Sequence, residues 1–326
     1  MAIEAKAIAG VGDNKVELID ISREDLAANE ILVELECSAV SAGTELYSIS
    51  RATAENPAIT GYAPIGRITE IGADVSGFEI GERVTYFSPT AGGGGHQSPA
   101  RILADPSHLE KWGNNFCLKI PESVSSEAAA YAGISSISML GCDLASPQEG
   151  DKVLIIGQGI IGLYATRHFS LAGAEVIAVD LQNSRLEKAK SFGASHTINP
   201  GDGDMVEAVK EIWPGRADII VDVTGSYKVV EDSIPAIRQK GKYVFLAWYK
   251  GAGFNLECLH GRVFEAYFPW TLQTDLVRRS LELMRDGKID SQSLISHRFK
   301  PADANEAYDL LRSGDDSCSS VIFDWR

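Results

Sequence analysis

The sequence predicts an α/β protein in which a β-rich segment precedes a doubly wound parallel sheet. Three observations predict it. Up to about Ile120, short alternating apolar runs are separated by Gly, Pro, Asn and Asp. From Ser125 the pattern turns helical and then alternates strand with helix, as βαβ units do. Within that second part an apolar run, Val153 to Ile156, enters the turn Gly157-Gln158-Gly159-Ile160-Ile161-Gly162.

Taken in order, strands are expected at Lys15 to Ile21, Glu30 to Ala39, Gly66 to Ile71 and Arg83 to Phe87. Gly92-Gly93-Gly94-Gly95 is expected to be a flexible turn over which a segment folds closely, with His96 after it a loop residue. The alternating part runs Lys152 to Ile156, Ile160 to Ala172, Glu175 to Asp180, Ser184 to Phe192, His196 to Ile198, Met205 to Ile212, Asp218 to Val223, Val229 to Ile237, Gly241 to Ala247 and Arg262 to Tyr267. An amphipathic helix, Leu272 to Arg285, follows, then a strand Ser296 to Phe299, a helix Asn305 to Leu311 and a last strand Ser320 to Trp325.

The glycine turn carries chemistry because its context is complete. Gly157 permits the tight turn, Gly159 lets backbone approach a pyrophosphate, and Gly162 lets helix and strand pack closely. Eighteen residues after Gly162 the next apolar run ends in Asp180, placed to accept hydrogen bonds from an adenosine ribose and to repel a 2′-phosphate. The expected cofactor is therefore NAD. Arg185 is the nearby cation that argues for NADP, unless it is a solvated helix charge beside Asp180.

Bulk properties bound the remaining classes. A chain of 326 residues suggests two domains. A net charge of −15 argues against nucleic acid and anionic membranes as partners, and no apolar run approaches the length of a membrane span. Five cysteines at wide spacing, with no C-x-x-C pair, form neither a disulfide framework nor a cysteine-rich zinc lobe, and a reducing cytoplasm is expected.

With this order of segments, the chain resembles the medium-chain dehydrogenase/reductase superfamily. The carriers are the GQGIIG turn, Gly81-Glu82-Arg83-Val84, Val221-Asp222-Val223-Thr224-Gly225-Ser226, and the tail segments Leu294 to Phe299 and Ala307 to Gly314. The resemblance implies a GroES-like β-rich lobe from residues 1–133 and 271–326, a Rossmann domain from residues 134–270 that also uses Thr224 and Gly225 for the cofactor, and an active site in the cleft between them. It also implies a homodimer or homotetramer and a small-molecule alcohol or ketone as substrate.

Zinc-dependent members of that superfamily take their catalytic metal with a Cys, a His and a third Cys or Glu. The corresponding elements here resemble Ala42-Gly43-Thr44-Glu45, Gly61-Tyr62-Ala63 and a position near Gly133, and none of these offers the ligand. A zinc-independent enzyme is expected. Thr44 matches the superfamily's hydroxyl relay, and Tyr62, in the place of the ligand histidine, is expected to act as hydrogen-bond donor or acid/base. Glu45 fits either a base, or an orienter of Tyr62, or a structural carboxylate capping a helix start. His297 is read as structural, and His108, His168, His196 and His260 are assigned nothing.

Tyr47, Tyr86, Ser88, Trp248 and Tyr249 are candidates for the substrate pocket; Phe87, Trp112, Trp270 and Lys250 lie in similar contexts. Ser41 to Glu45, Gly61-Tyr62 and the ending Ile322 to Trp325 resemble a zinc-less subgroup that includes the dehydrogenase acting on the hydroxyethyl side chain of bacteriochlorophyllides. The implied reaction is NAD-dependent oxidation of a polar secondary alcohol such as a sugar, polyol, cyclitol or hydroxyethyl group. NADPH-dependent reduction of an enone or quinone, and nucleotide binding without catalysis, are the alternatives.

Overall fold

The computed structural model describes residues 2–87, 94–104, 116–249, 253–270 and 272–326. Residues Met1–Ser136 with Thr271–Arg326 form one compact unit, and Ile137–Trp270 form the other. Among the described residues no helix is long and apolar enough to cross a membrane.

The first unit opens on a hairpin. Strands β1 (Ile3–Gly12) and β2 (Lys15–Arg23) turn through Asp13 and Asn14, both at positive φ, a conformation these two side chains tolerate and a tight hairpin needs. The long strand β3 (Glu30–Ala39) leads into helix α1 (Ala42–Ser50), and β4 (Ala58–Ile59) returns the chain to the edge of β1. β5 (Ala63–Ile71) pairs antiparallel with β3, and β6 (Arg83–Phe87) with β5. β7 (Gln97–Ser98) joins β1, β8 (Ala100–Leu103) joins β3, and β9 (Phe116–Lys119) joins β6. Helix α2 (Ser126–Ala129), capped by the Ser125 hydroxyl, precedes α3 (Ala132–Ala145). Neither β1 nor α1 is expected from sequence.

The second unit is a single parallel sheet. Its strands are β10 (Lys152–Ile156), β11 (Glu175–Val179), β12 (His196–Ile198), β13 (Ala217–Asp222), β14 (Ile237–Phe245) and β15 (Phe264–Tyr267). The order β12-β11-β10-β13-β14-β15 reverses between β10 and β13, and every pairing is parallel. That order is the doubly wound one, which binds ligands at the carboxyl ends of the strands where the order reverses. Alternation along β10 explains both covered faces. Leu154 and Ile156 pack with Val209 of α6 (Met205–Ile212) and Val230 of α7 (Tyr227–Ser233). Val153 and Ile155 pack with Cys142 of α3 and Phe169 of α4 (Ile160–Leu171), with α5 (Asn183–Ser191) completing the helix set.

The chain then returns to the first unit through α8 (Thr274–Arg285), β16 (His297–Phe299), α9 (Ala304–Ser313) and β17 (Val321–Asp324). β17 pairs antiparallel with the end of β3, Phe323 opposite Ser38, and so completes the larger sheet. Phe323, Tyr308 and Val321 share a core with Ile8, Val16 and Ile49, which ties the tail to the opening hairpin and to α1. The strands of β10 and β12 and the helix α6 keep the bounds expected from sequence; β14 starts earlier and ends earlier, because the run from Ile237 pairs with β13 before Gly241.

Candidate active site

In the second unit, β10 is followed by Gly157, whose φ of +94° is open to glycine and strained for other residues. A Cβ on Gly162 would lie 1.9 Å from the Gly157 carbonyl oxygen, so this glycine is what allows α4 to start against the turn. Gly159 is the N-cap of α4, has no side-chain cap, and a Cβ there would meet nothing within 4 Å. The first N–H groups of α4, those of Ile160 and Ile161 among them, lack intrahelical acceptors by geometry and face this open cradle. A dinucleotide pyrophosphate fits it.

Asp180 follows β11 and is 9% exposed. One carboxylate oxygen accepts the Gln158 N–H at 2.6 Å and the other the Gln182 N–H at 2.9 Å, so the carboxylate braces the glycine turn from the adjacent strand. Arg185 lies 3.7 Å from Asp180, paired with it. The Gln158 side chain turns into the core, donating to the Ile155 carbonyl and accepting from Thr166, and its N–H is held by Asp180, so Gln158 serves the turn rather than a ligand.

Asp222 ends β13 and is fully buried. It accepts from the Thr224 hydroxyl (2.7 Å), more weakly from the N–H groups of Thr224 and Gly225, and from the Tyr249 phenol. Burial raises the Asp222 carboxyl above the ordinary carboxylate range, and burial beside Asp222 raises the Tyr249 phenol. Tyr249 is thus corrected from substrate contact to anchor: its hydroxyl is spent on Asp222. Trp248, next to it, is 49% exposed and meets Trp270 edge-on at 5.2 Å.

In the first unit, Ser41 is the N-cap of α1, and Thr44 and Glu45 lie on its first turn. Tyr62, half-buried after the Gly61 turn, donates to the Ser41 hydroxyl at 2.7 Å. Burial pushes the Tyr62 phenol up to about 12, against the opposing pull of its hydrogen bonds with Ser41 and Thr44. The three hydroxyls of Ser41, Thr44 and Tyr62 are therefore one cluster, with Thr44 its exposed member. Ser41 was not singled out in the sequence; its position three residues before Thr44 in Ser41-Ala42-Gly43-Thr44 was the available signal.

Of the roles open to Glu45, its surroundings are those of the structural carboxylate at the start of α1. It is 2% exposed, one oxygen accepting the Ser41 N–H (2.6 Å), the other facing His96 Nε2 (3.0 Å) and accepting from the Tyr308 phenol. Neither oxygen is left for a substrate proton, and Tyr62 is oriented by Ser41 instead. His96 lies in the loop before β7, as expected, but it is wholly buried, its Nδ1 2.7 Å from the Ser38 hydroxyl, which also accepts from the Trp325 indole. Tyr86 is corrected too, since it lies in the apolar core between β3, β5 and β8, 2% exposed. Tyr47 stays half-buried on α1, its phenol accepting from Arg51 at 3.0 Å. Ser88, Gly92, Gly93, His108, Trp112 and Lys250 lie outside the described residues.

A metal does not fit this cluster. Ala42 and Gly133 have no donor atom, and a phenol held up to about 12 is a poor ligand at Tyr62. Among the described residues no three His, Cys, Asp or Glu side chains gather as a metal site.

Residues 161–264 match the family described as zinc-binding dehydrogenase, a segment that lies within the second unit. Sorbitol dehydrogenase 2 of Saccharomyces cerevisiae is 26% identical over 292 residues, 82% of each chain. The fold is shared with 2R,3R-butanediol dehydrogenase from Bacillus subtilis, with TM-score 0.83 and 20% identity over 99% of this chain and 100% of that one. It is shared also with an alcohol dehydrogenase from E. coli CFT073 complexed with NADH, with TM-score 0.84 and 21% identity over 99% of both chains. The chain is thus similar to the zinc-binding dehydrogenase family over residues 161–264 of its second unit, and it shares its fold with these dehydrogenases along nearly its whole length.

Proposed function

We propose that this protein is a zinc-independent, NAD-dependent oxidoreductase that interconverts a polar secondary alcohol (a sugar, polyol, cyclitol or hydroxyethyl group) and its ketone. The observation that carries the reading is the hydroxyl cluster of Thr44, Tyr62 and Ser41, at the positions where relatives of this superfamily are expected to keep a metal ligand and a relay. The name of the yeast relative, a sorbitol dehydrogenase, and the NADH in the E. coli neighbour support the substrate class and the cofactor. When bound, the nicotinamide supplies the hydride acceptor.

The chain's own groups then have defined tasks. The N-terminus of α4 holds the pyrophosphate, and Asp180 receives the ribose hydroxyls and disfavours a 2′-phosphate. Thr44 orients the substrate oxygen. Tyr62 already donates its proton to Ser41, so its oxygen remains as the acceptor for a substrate hydroxyl. As the substrate hydroxyl passes its proton to Tyr62, Tyr62 passes its own to Ser41 and the half-buried Ser41 releases its hydroxyl proton to solvent, so that no phenolate accumulates, as a phenol held up to about 12 requires. The reverse sequence delivers a proton to the ketone oxygen.

A homodimer or homotetramer in a reducing cytoplasm fits the same reading. Val263, Phe268 and Trp270 are exposed on or beside β15, the edge strand of the parallel sheet, and sedimentation at micromolar concentration reads the state.

The test begins with calorimetric titration of NAD and NADP, then a screen of sugars, polyols, cyclitols and hydroxyethyl compounds by absorbance of the reduced cofactor. NAD preference with turnover of such an alcohol is expected. With that substrate Tyr62→Phe should lower kcat by about 10²–10⁴-fold at unchanged NAD affinity, the range for a positioned proton-transfer group. Tighter NADP binding with enone turnover, nucleotide binding without any turnover, or an undiminished Tyr62→Phe enzyme would each overturn the reading.

A further inference from the structure

The buried imidazole of His96 joins the two segments that carry the hydroxyl cluster. Its Nε2 faces Glu45, whose other oxygen holds the N–H of Ser41 at the start of α1. Its ring covers the turn that presents Tyr62: a Cβ on Gly61 would lie 2.6 Å from the ring, and Gly61 sits at φ +88°. The His96 backbone N–H donates to the Thr60 carbonyl, and the Gly95 N–H to the Gly61 carbonyl at 2.6 Å. One ring therefore sets the spacing between α1 and the Gly61-Tyr62 turn.

The polar groups around it close without a spare donor or acceptor. With the proton on Nε2, His96 donates to Glu45; Nδ1 accepts from the Ser38 hydroxyl, which itself accepts from the Trp325 indole. Glu45 also takes the Tyr308 phenol, which pairs with Thr60 at 3.0 Å, one residue before the turn. Phe323 of β17 meets the His96 ring edge-on at 5.2 Å. A fully satisfied buried network of this kind holds a single geometry, whereas one missing member leaves a costly orphan.

We propose that His96 is a positioning residue, whose ring holds the Tyr62 phenol in register with Ser41 and Thr44. The proposal rests on the reading of Tyr62 as the proton acceptor, and its test separates the two. The full-length protein is labelled with 3-fluorotyrosine, and among its ten tyrosines the Tyr62 resonance is assigned by its loss in Tyr62→Phe. In native protein and in His96→Gln, which can still donate to Glu45, a single Tyr62 line at the same shift is expected. In His96→Leu the line should shift or split while that of Tyr243, in the other unit, stays in place. With the substrate found by the screen, kcat should fall at least tenfold in His96→Leu at unchanged KM for NAD, and recover to within threefold of native in His96→Gln. If His96→Leu does not fold, Ser38→Ala, which strips Nδ1 of its partner, should displace the same line by less. An unmoved Tyr62 line in His96→Leu, or in Ser38→Ala where that variant decides, overturns the proposal. A moved line in an enzyme whose Tyr62→Phe variant is fully active leaves the positioning role standing and removes the relay.

Discussion

Single residues decide the nucleotide site. Gly162 has no room for a methyl group, so Gly162→Ala should push α4 off the glycine turn; a loss of about 1–3 kcal/mol in stability, the range for overpacking, is expected in urea denaturation, with weakened NAD binding in calorimetry. Asp180→Ser removes the acceptor of two backbone N–H groups as well as the ribose contact, and should weaken NAD by about 1–3 kcal/mol while narrowing the gap to NADP. Tyr62 titrates with a definite sign. Its proton is held more tightly in the folded protein (up to about 12) than in the unfolded chain, so the stability it contributes is whole below pH 10 and lost as pH climbs towards 12. The stability difference between native protein and Tyr62→Phe should accordingly shrink between pH 9 and 11.5 in denaturant titrations. The glycine turn and Asp180 were legible because their meaning lies within one strand–turn–helix unit. His96 was not, since its partners Glu45 and Ser38 lie 51 and 58 residues away in sequence and only the fold brings them to the ring.

Whole elements show where local pattern stops. β3, β6 and β10 match their expected bounds because alternating or continuous apolar runs carry them. α1 was invisible: Gly43, Thr44 and Ile49 are poor helix formers, and the helix stands on the burial of Ile49 and on Glu45 reaching back to the Ser41 N–H, as in a capping box shifted by one residue. β1 was hidden by its alanines and is held by three partners, β2, β4 and β7. The loop after β13 depends on Asp222 in the same way. Tyr249→Phe should cost about 1–3 kcal/mol by removing a donor from a buried carboxylate. Because that donor favours the ionised form, the penalty should be larger at pH 8 than at pH 4, which guanidinium melts at the two values would read.

At the scale of the molecule, the doubly wound class followed from the alternation of strands and helices, but the strand order that reverses between β10 and β13 is a fact of tertiary pairing that no run of residues announces. The return of the tail to the β-rich unit was implied by family likeness alone. Its depth is the structural finding: Phe323 is fully buried, and Phe323→Ala should cost about 3–5 kcal/mol of stability in that unit, seen as a lower melting temperature. The second unit shares none of this core, so its NAD affinity, measured by calorimetry below the melt, should change by less than threefold.

The pairing of β17 with β3 also fixes a timetable for synthesis. The sheet of residues 152–267 is complete in sequence once β15 has left the ribosome, whereas the lobe begun with β1 must wait until β17 has been made. Until then the end of β3 is a bare edge in a chain whose apolar side chains already outnumber its charges, so the growing polypeptide is most open to mispairing with its neighbours in the interval between the synthesis of β3 and that of β17.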